Sequence, residues 1–362
     1  MHGQPWRAET TLLPDTKTVS WNGQQVETLQ SQFVAYLSGR IFEVAVDLYA
    51  QADDGSVWYF GEDAFTYKYG RVADTEGTWL AGVTGPAAMI MPGHPQVGDV
   101  YRTENIPGLV FEQVTVEKIG VTVNGPVGPI AGAMVGQELH MDEVRLEKKF
   151  FAPEYGEFFS GAGPTYEANA LAVPTDALSQ PTPADLEVIS TGATEVLNAT
   201  ASGDWSGTST ALGTIRSAWN TFRSHPEPVR LATEVDAAMQ ALARAVGARD
   251  LRRASHDAVE LILADLDIQL RYRPSAQVNV ARFNAWTRQL QVDATAGDRS
   301  AVVGDVTTLE WIRDRILLAA AAAGIIDDGL RSLEAQAAAG EFRAASAASV
   351  RLRQTLQGMT PV

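Results

Sequence analysis

In Ile41-Phe-Glu-Val-Ala-Val-Asp-Leu-Tyr-Ala-Gln51, apolar and polar side chains alternate. The apolar set is Phe42, Val44, Val46 and Leu48, and the polar set is Glu43, Asp47, Tyr49 and Gln51. A period of two is that of a β-strand, whose successive side chains point to opposite faces of a sheet. We therefore predict a strand with one face in a hydrophobic core and the other facing water or a ligand.

Turn residues recur on both sides of this strand and predict an antiparallel meander. They are Asn22-Gly23, Ser38-Gly39, Asp54-Gly55 and Tyr69-Gly70. Such pairs supply the positive φ angles that two-residue hairpins need. Further strands are predicted from Val110 to Val123, from Ala133 to Phe151 and from Ala168 to Val173. So many short strands predict an antiparallel β-domain over residues 1–173, curled into a barrel or half-barrel.

A Gly- and Pro-rich segment between Gly82 and Gly108 interrupts this series of strands. It contains Pro92-Gly93-His94-Pro95 and ends with Pro107-Gly108. Pro cannot donate to a sheet ladder and Gly weakens a strand, so we predict a long ordered loop. Loops of this kind on a rigid sheet are common binding elements.

A Pro-bearing linker at residues 174–183 separates the β-domain from a predicted all-α domain at residues 184–362. In the latter, a Gly that precedes an acidic residue recurs between helical patterns, at Gly203, Gly247, Gly297 and Gly340. Gly favours the left-handed position that ends one helix, and Asp or Glu caps the next. The repeat predicts about four αα-hairpins, separated by breaks near His225-Pro226, Arg273-Pro274 and Gly324.

These hairpins have two packings open to them: an extended array that binds proteins on a concave face, or a pair of closed four-helix bundles. The helices contain no Glu-x-x-His pair of the kind that holds a metal inside a bundle. The segment Asp265–Arg273 is rich in alternating charge and would line a polar interior or form a solvated face. Such a pattern is typical of a solvated face with salt bridges.

Charge limits the partners that the chain is expected to have. It holds 44 acidic and 28 basic side chains, a formal net charge of −16. Nucleic acids and anionic membranes recruit basic patches, so neither is an expected partner. Residues 1–170 hold 22 acidic and 10 basic side chains and carry −12 of this charge. A cation-binding face and a plain solubilising surface would both have this composition.

Cellular location is left open by the composition. The absence of Cys excludes disulfides, thiolate catalysis and Cys-ligated zinc. No apolar run approaches the ~20 residues that span a bilayer, so no membrane-spanning helix is predicted. Residues Met1–Pro5 do not have the pattern of a leader. The protein is either cytoplasmic or exported with its leader missing from this sequence, and a leader with a lipobox Cys would add a lipid anchor.

Aromatic and acidic side chains occur together in and around Val57-Trp-Tyr-Phe-Gly-Glu-Asp63. A ligand pocket walled by aromatics and rimmed by acids would use Tyr49, Trp58, Glu62, Asp63, Glu76 and Trp79. A packed sheet with acids at a strand end accounts for the same residues. Glu62 and Asp63 are neighbours on a strand and point to opposite faces, so they make a poor acid–base pair by themselves.

The one set of side chains with soft-metal character is Met89, Met91, His94 and His140. Thioether and imidazole ligands suit Cu(I), and Met89 and Met91 share a strand face. Packing of the two methionines in a core is the alternative. No other cofactor is predicted, because phosphate-loop, dinucleotide, zinc-protease and nucleophile-elbow signatures are absent from the sequence.

Several motifs of the β-domain follow one another in a fixed order. They are Asp47-Leu-Tyr-Ala-Gln51, Val57-Trp-Tyr-Phe-Gly-Glu-Asp63, Thr75-Glu-Gly-Thr-Trp79, Ile90-Met-Pro92, Pro95-Gln-Val-Gly-Asp99 and Phe151-Ala-Pro153. Over residues 40–160 this string resembles a family of uncharacterised bacterial exported proteins and lipoproteins. The resemblance implies export to the periplasm or cell surface, and it implies no activity, cofactor or catalytic residue.

Three hypotheses of function follow from the sequence. The first is an exported, non-enzymatic binding protein whose partner is a small ligand or another protein. The second is a periplasmic copper-binding protein that uses the four Met and His residues named above. The third is an enzyme of unrecognised type, which requires two acids of the β-domain to converge on one pocket. The candidate acids are Glu43, Asp47, Glu62, Asp63 and Glu76.

Overall fold

The computed structural model describes residues 6–125, 128–153, 156–162, 165–168, 170–171, 181–224 and 229–361. The chain divides into two compact units. The β unit comprises Met1–Lys68 and Val72–Val173, and the helical unit comprises Tyr69–Arg71 and Pro174–Val362. An antiparallel β half-barrel followed in the chain by helical hairpins is the fold class that the sequence predicts, and it is confirmed.

The first sheet of the β unit is a meander, as the turn residues predict. Its strands are β1 (Trp6–Trp21), β2 (Gln24–Leu37), β3 (Arg40–Gln51), β4 (Val57–Lys68), β5 (Arg71–Asp74), β6 (Trp79–Leu80), β7 (Ala88–Met91) and β14 (Ala170–Leu171). The order is β14-β1-β2-β3-β4-β5, and β6 and β7 also pair with β4. Asn22, Ser38 and Tyr69 adopt positive φ angles in the tight turns where the dipeptides were identified.

The second sheet runs in sequence order from one edge to the other. Its strands are β8 (Val100–Ile106), β9 (Val110–Gly125), β10 (Gly128–His140), β11 (Arg145–Ala152), β12 (Gly156–Ala162) and β13 (Thr165–Ala168). All the pairs within it are antiparallel. The predicted strand from Ala133 to Phe151 is divided between β10 and β11 by a turn.

The prediction of a long loop between Gly82 and Gly108 was wrong in two places. Ala88–Met91 forms β7 against β4, and Val100–Ile106 forms β8 against β9. The Gly and Pro residues lie between these strands rather than inside them, so the ladder bonds are kept. The segment therefore contributes strands to both sheets.

A β-bulge in β4 determines which of its side chains share a face. Tyr59 lies opposite Tyr49 and Glu62 lies opposite Asp47, so the register passes over one residue between them. Gly61 has a φ of 151°, and a Cβ there would lie 2.6 Å from the carbonyl oxygen of Trp79. Since Asp47 and Tyr49 are two residues apart and share a face, Tyr59 and Glu62 share it too.

The helical unit contains eight helices within its described residues. They are α1 (Ala184–Ala201), α2 (Trp205–Phe222), α3 (Val229–Ala248), α4 (Leu251–Gln269), α5 (Ser275–Ala296), α6 (Arg299–Asp314), α7 (Ala320–Ala339) and α8 (Phe342–Gln357). Consecutive helices pack as hairpins, and α1 also packs on α4 as α5 does on α8. These contacts close two four-helix bundles in tandem, with α4 against α5, rather than an extended array.

Helix ends within the hairpins follow the predicted glycine and acid pattern at most positions. Gly203, Gly297 and Gly340 have positive φ angles between paired helices. The side chains of Asp204, Asp250 and Asp298 cap the helices that follow by accepting a backbone N–H. Two positions differ. Gly247 lies inside α3, and Arg249 takes the left-handed position instead. The side chain of Glu341 makes no capping hydrogen bond at the start of α8.

Two other details of the helical unit differ from expectation. The predicted break near Gly324 falls inside α7, because the chain already leaves the helix between α6 and α7. Asp265, Asp267 and Gln269 are at most 3% exposed, so the predicted solvated face is wrong for these three. The break at His225-Pro226 and residues 174–180 of the linker lie outside the described residues.

Among the described residues, none of the helices has the length and apolar character needed to cross a membrane.

The bulge gives a test of the backbone geometry. We expect Gly61→Ala to lower the free energy of unfolding by about 2–4 kcal/mol, through the disfavoured φ angle and the clash with Trp79. Gly98→Ala is the control, because Gly98 has a φ of 95° but open space around a Cβ. It should cost only about 1 kcal/mol. Urea unfolding followed by tryptophan fluorescence measures both, and equal costs would contradict the role of the clash.

Candidate functional site

Two carboxylates of neighbouring strands meet at one tyrosine. Asp47 on β3 and Glu62 on β4 are directly opposite in the ladder. The Tyr59 hydroxyl donates to Asp47 Oδ1 at 2.7 Å and also lies within hydrogen-bonding reach of Glu62. A hydroxyl has one proton, so it donates to only one of the two carboxylates at a time. The pair is therefore held together by a single shared donor.

Burial makes both carboxyl groups hard to ionise. It raises the pKa of Asp47 to about 7. The hydrogen bond from Tyr59 opposes this rise, whereas the negative charges of Glu157 and Glu43 add to it. Burial likewise raises the pKa of Glu62 to about 8, with the charge of Asp47 as the next contribution. Tyr49 also donates to Asp47, and Glu112 also repels Glu62. Near neutral pH the pair therefore retains protons that a bound cation could displace.

Aromatic rings continue from this pair across the same face. Tyr49 stacks on Tyr59 with centroids 4.9 Å apart, and Trp79 meets Tyr59 edge-on at 5.2 Å. The Trp79 indole N–H donates to Glu104 Oε1 at 3.3 Å, and burial raises the pKa of Glu104 well above its ordinary range. We call this set the carboxylate–aromatic group. Its members are Asp47, Tyr49, Tyr59, Glu62, Trp79 and Glu104.

A second cluster lies on the facing strands β9 to β12. His140 contacts Glu112 through Nδ1, and its Nε2 lies 3.1 Å from Glu147. Lys149 lies 3.3 Å from Glu138 and 3.1 Å from Glu157. We call this set the ion-pair group. Its members are Glu112, Glu138, His140, Glu147, Lys149 and Glu157.

Ion pairing dominates the titration of the second cluster. Hydrogen bonds to Glu112 and Glu147 raise the pKa of His140 to about 9, so the imidazole is a cation at neutral pH. Burial would raise the pKa of Glu147, but the hydrogen bond from His140 and the charge of Lys149 outweigh it and hold that pKa at about 2. The cations of this cluster therefore keep Glu147 ionised, whereas burial raises the pKa of Glu138 to about 7 and also raises that of Glu157, although Lys149 opposes both shifts.

The two clusters share one interior. Glu157 of the second sheet raises the pKa of Asp47, and Glu112 of the second sheet raises that of Glu62. Such effects need charges a few ångströms apart in surroundings of low dielectric constant. The two clusters differ in how their negative charges are compensated, because Asp47, Glu62 and Glu104 have no ion pair among the described residues. Their lowering influences come from neutral donors, Tyr59, Tyr49 and Trp79.

The structure brings together three of the six predicted ligand-binding residues. Tyr49, Glu62 and Trp79 belong to the carboxylate–aromatic group. Trp58 donates its indole N–H to Ser56 at 2.9 Å, outside that group. Asp63 points away and binds Lys17 at 3.4 Å, with its side chain about half exposed. Glu76 is exposed in a turn.

The four predicted copper ligands lie in different surroundings. Met91 packs against the core formed by Val116, Met134 and Phe151. Met89 lies opposite Trp58 in the ladder of β7 and β4. His94 is exposed, whereas His140 lies in the ion-pair group.

Seven members of the two groups were missed from the sequence: Tyr59, Glu104, Glu112, Glu138, Glu147, Lys149 and Glu157. A strict period of two places Tyr59 and Glu62 on opposite faces, so only recognition of the bulge could have paired them. Glu104 fell in the segment predicted as a loop. Glu138 and His140 are two residues apart on one strand, and this signal of a shared face was present in the sequence.

The shared donor can be tested by removing one oxygen. We expect Tyr59→Phe to lower the free energy of unfolding by about 1–2 kcal/mol and to raise the pKa values of Asp47 and Glu62, because both lose a donor. Carbon-13 NMR titration of the carboxyl groups and urea unfolding measure the two effects. Tyr101→Phe is the matched control, since the Tyr101 hydroxyl is buried and has no hydrogen-bond partner among the described residues. A destabilisation as large in the control would contradict the proposed role.

The raised pKa values also set a pH dependence of stability. Asp47 and Glu62 ionise at 3.8 and 4.5 in ordinary surroundings but at about 7 and about 8 in the fold. Between these limits the folded state binds more protons than the unfolded state. The contribution of Asp47 and Glu62 to the free energy of unfolding is therefore complete at about pH 4 and is lost as the pH rises to about 8. The slope is at most about 1.4 kcal/mol per pH unit for each proton.

The double variant Asp47→Asn with Glu62→Gln removes both titrating groups and should flatten this fall. Thermal unfolding of the β unit at half-unit steps from pH 5 to pH 8.5 measures it. An unchanged slope would show that other groups, such as Glu104 or His140, cause the dependence.

Comparisons with protein-family models, with curated proteins and with solved structures found no match to this chain. The resemblance to exported proteins therefore stays a prediction from the sequence motifs. The case for a function depends on the geometry of the β unit itself.

Proposed function

We propose that the β unit binds a small ligand that carries a positively charged amine, in the carboxylate–aromatic group. The observation that carries this proposal is the contrast between the two clusters. The acids of the ion-pair group have Lys149 and His140 as partners. Asp47 and Glu62 are half-buried and Glu104 is buried, and the donors that lower their pKa values are neutral. A ligand cation would supply the missing charge.

The neighbouring rings favour an organic cation. An ammonium group donates several hydrogen bonds, which suits the oxygens of Asp47 and Glu62. The face of an aromatic ring attracts a cation through its quadrupole, by about 0.5–2 kcal/mol depending on desolvation. Tyr49 is the partly exposed member of the stack and offers such a face. A hard metal ion would gain nothing from these rings, since it takes oxygen ligands alone.

Proton release accompanies binding in this proposal. An ammonium group between Asp47 and Glu62 favours their ionised forms and so displaces the protons that the empty pair retains. Affinity is then expected to rise with pH through about 7 to 8, the range in which both groups titrate. The charged groups that face the pair are Glu43 on its own sheet and Glu104, Glu112 and Glu157 on the facing one. All of them favour the protonated pair before the ligand arrives.

Export to the periplasm or cell surface is part of the same proposal, and only the sequence resemblance supports it. The absence of catalysis is likewise proposed, in line with the missing catalytic signatures.

An enzyme remains the second candidate function, because Asp47 and Glu62 converge. Two carboxyl groups with pKa values of about 7 and about 8 would serve as general base and general acid near neutral pH. Chemical change of a bound amine, followed by mass spectrometry, would favour the enzyme over the binding protein.

Calorimetric titration with 1,5-diaminopentane tests the proposed function. We expect binding at pH 8.5 that weakens about tenfold or more at pH 6, and loss of about tenfold or more in affinity in the Asp47→Asn and Glu62→Gln variants. Asp63→Asn is the control, because Asp63 lies on the same strand and points away from the site. Pentane-1,5-diol, the neutral analogue, should not bind. Equal binding by the diol, or by the Asp47→Asn variant, would overturn the proposal.

A further inference from the structure

One nitrogen and two carboxylate oxygens converge within the ion-pair group. The ligand atoms of Glu112, Glu138 and His140 all lie within 4.8 Å of one another. They come from adjacent strands: His140 is directly opposite Glu112, and Glu138 is two residues before His140 on the same face. Rigid strands therefore hold all three, and small rotations of the side chains would bring them onto one ion.

The state of Glu138 is a second, independent observation. The residue is 2% exposed, and its Oε1 accepts the Thr103 hydroxyl at 2.9 Å. Its Oε2 is buried and accepts no hydrogen bond among the described residues. That oxygen lies 3.9 Å from His140 Nε2 and 3.3 Å from Lys149 Nζ. This buried oxygen accepts no hydrogen bond and lies beside an imidazole nitrogen, so a metal ion that displaces the imidazole proton would complete the arrangement.

We propose that Glu112, Glu138 and His140 bind a divalent transition-metal ion, with Zn²⁺ as the ion that suits the set best. Zn²⁺ takes imidazole nitrogen and carboxylate oxygen at about 2.0–2.2 Å and is commonly held by three protein ligands with a fourth position open. The set has no sulfur, so it does not have the soft character that Cu(I) requires. The proposal goes beyond amine binding, because it uses other residues and another class of ligand.

Neighbouring charges remain compatible with the ion. Lys149 keeps Glu157 at 3.1 Å as a partner when Glu138 turns to the metal. Glu147 lies 3.1 Å from His140 Nε2, so it is within reach as a further ligand or as the acceptor that orients the ring. Arg145 lies 3.1 Å from His140 Nε2, and its positive charge opposes the ion, as does that of Lys149.

Zinc binding to the metal-free full chain, measured by competition with a chelating dye, tests this proposal. We expect one Zn²⁺ per chain and a loss of affinity of about tenfold or more in the His140→Ala and Glu112→Gln variants. Co²⁺ in place of Zn²⁺ should show visible absorption that these variants lose. His94→Ala is the control, because His94 is exposed and outside the cluster. Near-UV circular dichroism shows whether each variant folds. If His140→Ala does not fold, Glu138→Gln takes its place, because it keeps the size of the side chain.

Absence of zinc binding in the wild-type chain would overturn the metal site, and so would equal binding by folded Glu112→Gln and Glu138→Gln variants. The Asp47→Asn variant should keep its zinc affinity. A wild-type chain that binds the diamine but no zinc would contradict the metal site alone. A wild-type chain that binds zinc but no diamine would contradict the amine site alone.

Discussion

The bulge at Gly61 is the constraint on which the interior of the β unit depends. Without it, the two-residue period of β4 would turn Tyr59 and Glu62 to opposite faces. Because the ladder passes over one residue of β4, both side chains lie beside Asp47 and Tyr49 on β3. Gly is required there, because a side chain would meet the Trp79 carbonyl. The same close approach lets the short strand β6 pair with β4, which places Trp79 opposite Glu62.

A comparable constraint closes the helical unit. An open array requires each hairpin to meet its neighbours along equivalent helices, whereas α1 meets α4 and α5 meets α8. Short connections between antiparallel helices favour this closure, since each helix then finds partners on two sides. The two buried acids of α4 have partners: Asp265 accepts from Ser190 and Gln269, and Asp267 pairs with Arg282. Asp265 and Asp267 of α4 are therefore internal, although the alternation of charge in this segment is typical of a solvated face.

Local sequence patterns predicted most of the fold but only part of the candidate site. Alternation in Ile41–Gln51 placed Asp47 and Tyr49 on one face, and the glycine and acid pairs located three of the four helical turns. These features depend on neighbours in the chain. The missed features depend on residues that are distant in the chain: Glu104 accepts the indole N–H of Trp79, 25 residues before it. Gly247 shows that local preference alone does not locate a helix end. The preference of Gly for the left-handed conformation predicts the end of α3 at Gly247, whereas Arg249 adopts that conformation.

The difference in charge compensation between the two clusters is the strongest physical indication of a function. A buried carboxylate costs free energy unless a cation or several donors replace its water. The β unit meets part of this cost on strands β9 to β12, where Lys149 and His140 lie among four acids. No cation meets the cost at Asp47 and Glu62, whose raised pKa values of about 7 and about 8 leave the pair partly protonated near neutral pH. Protonation lowers the cost in the empty state, and a ligand cation would remove it. An interior packed for stability alone would gain by replacing these acids with apolar groups of similar size, so their presence is better explained by a ligand than by the fold.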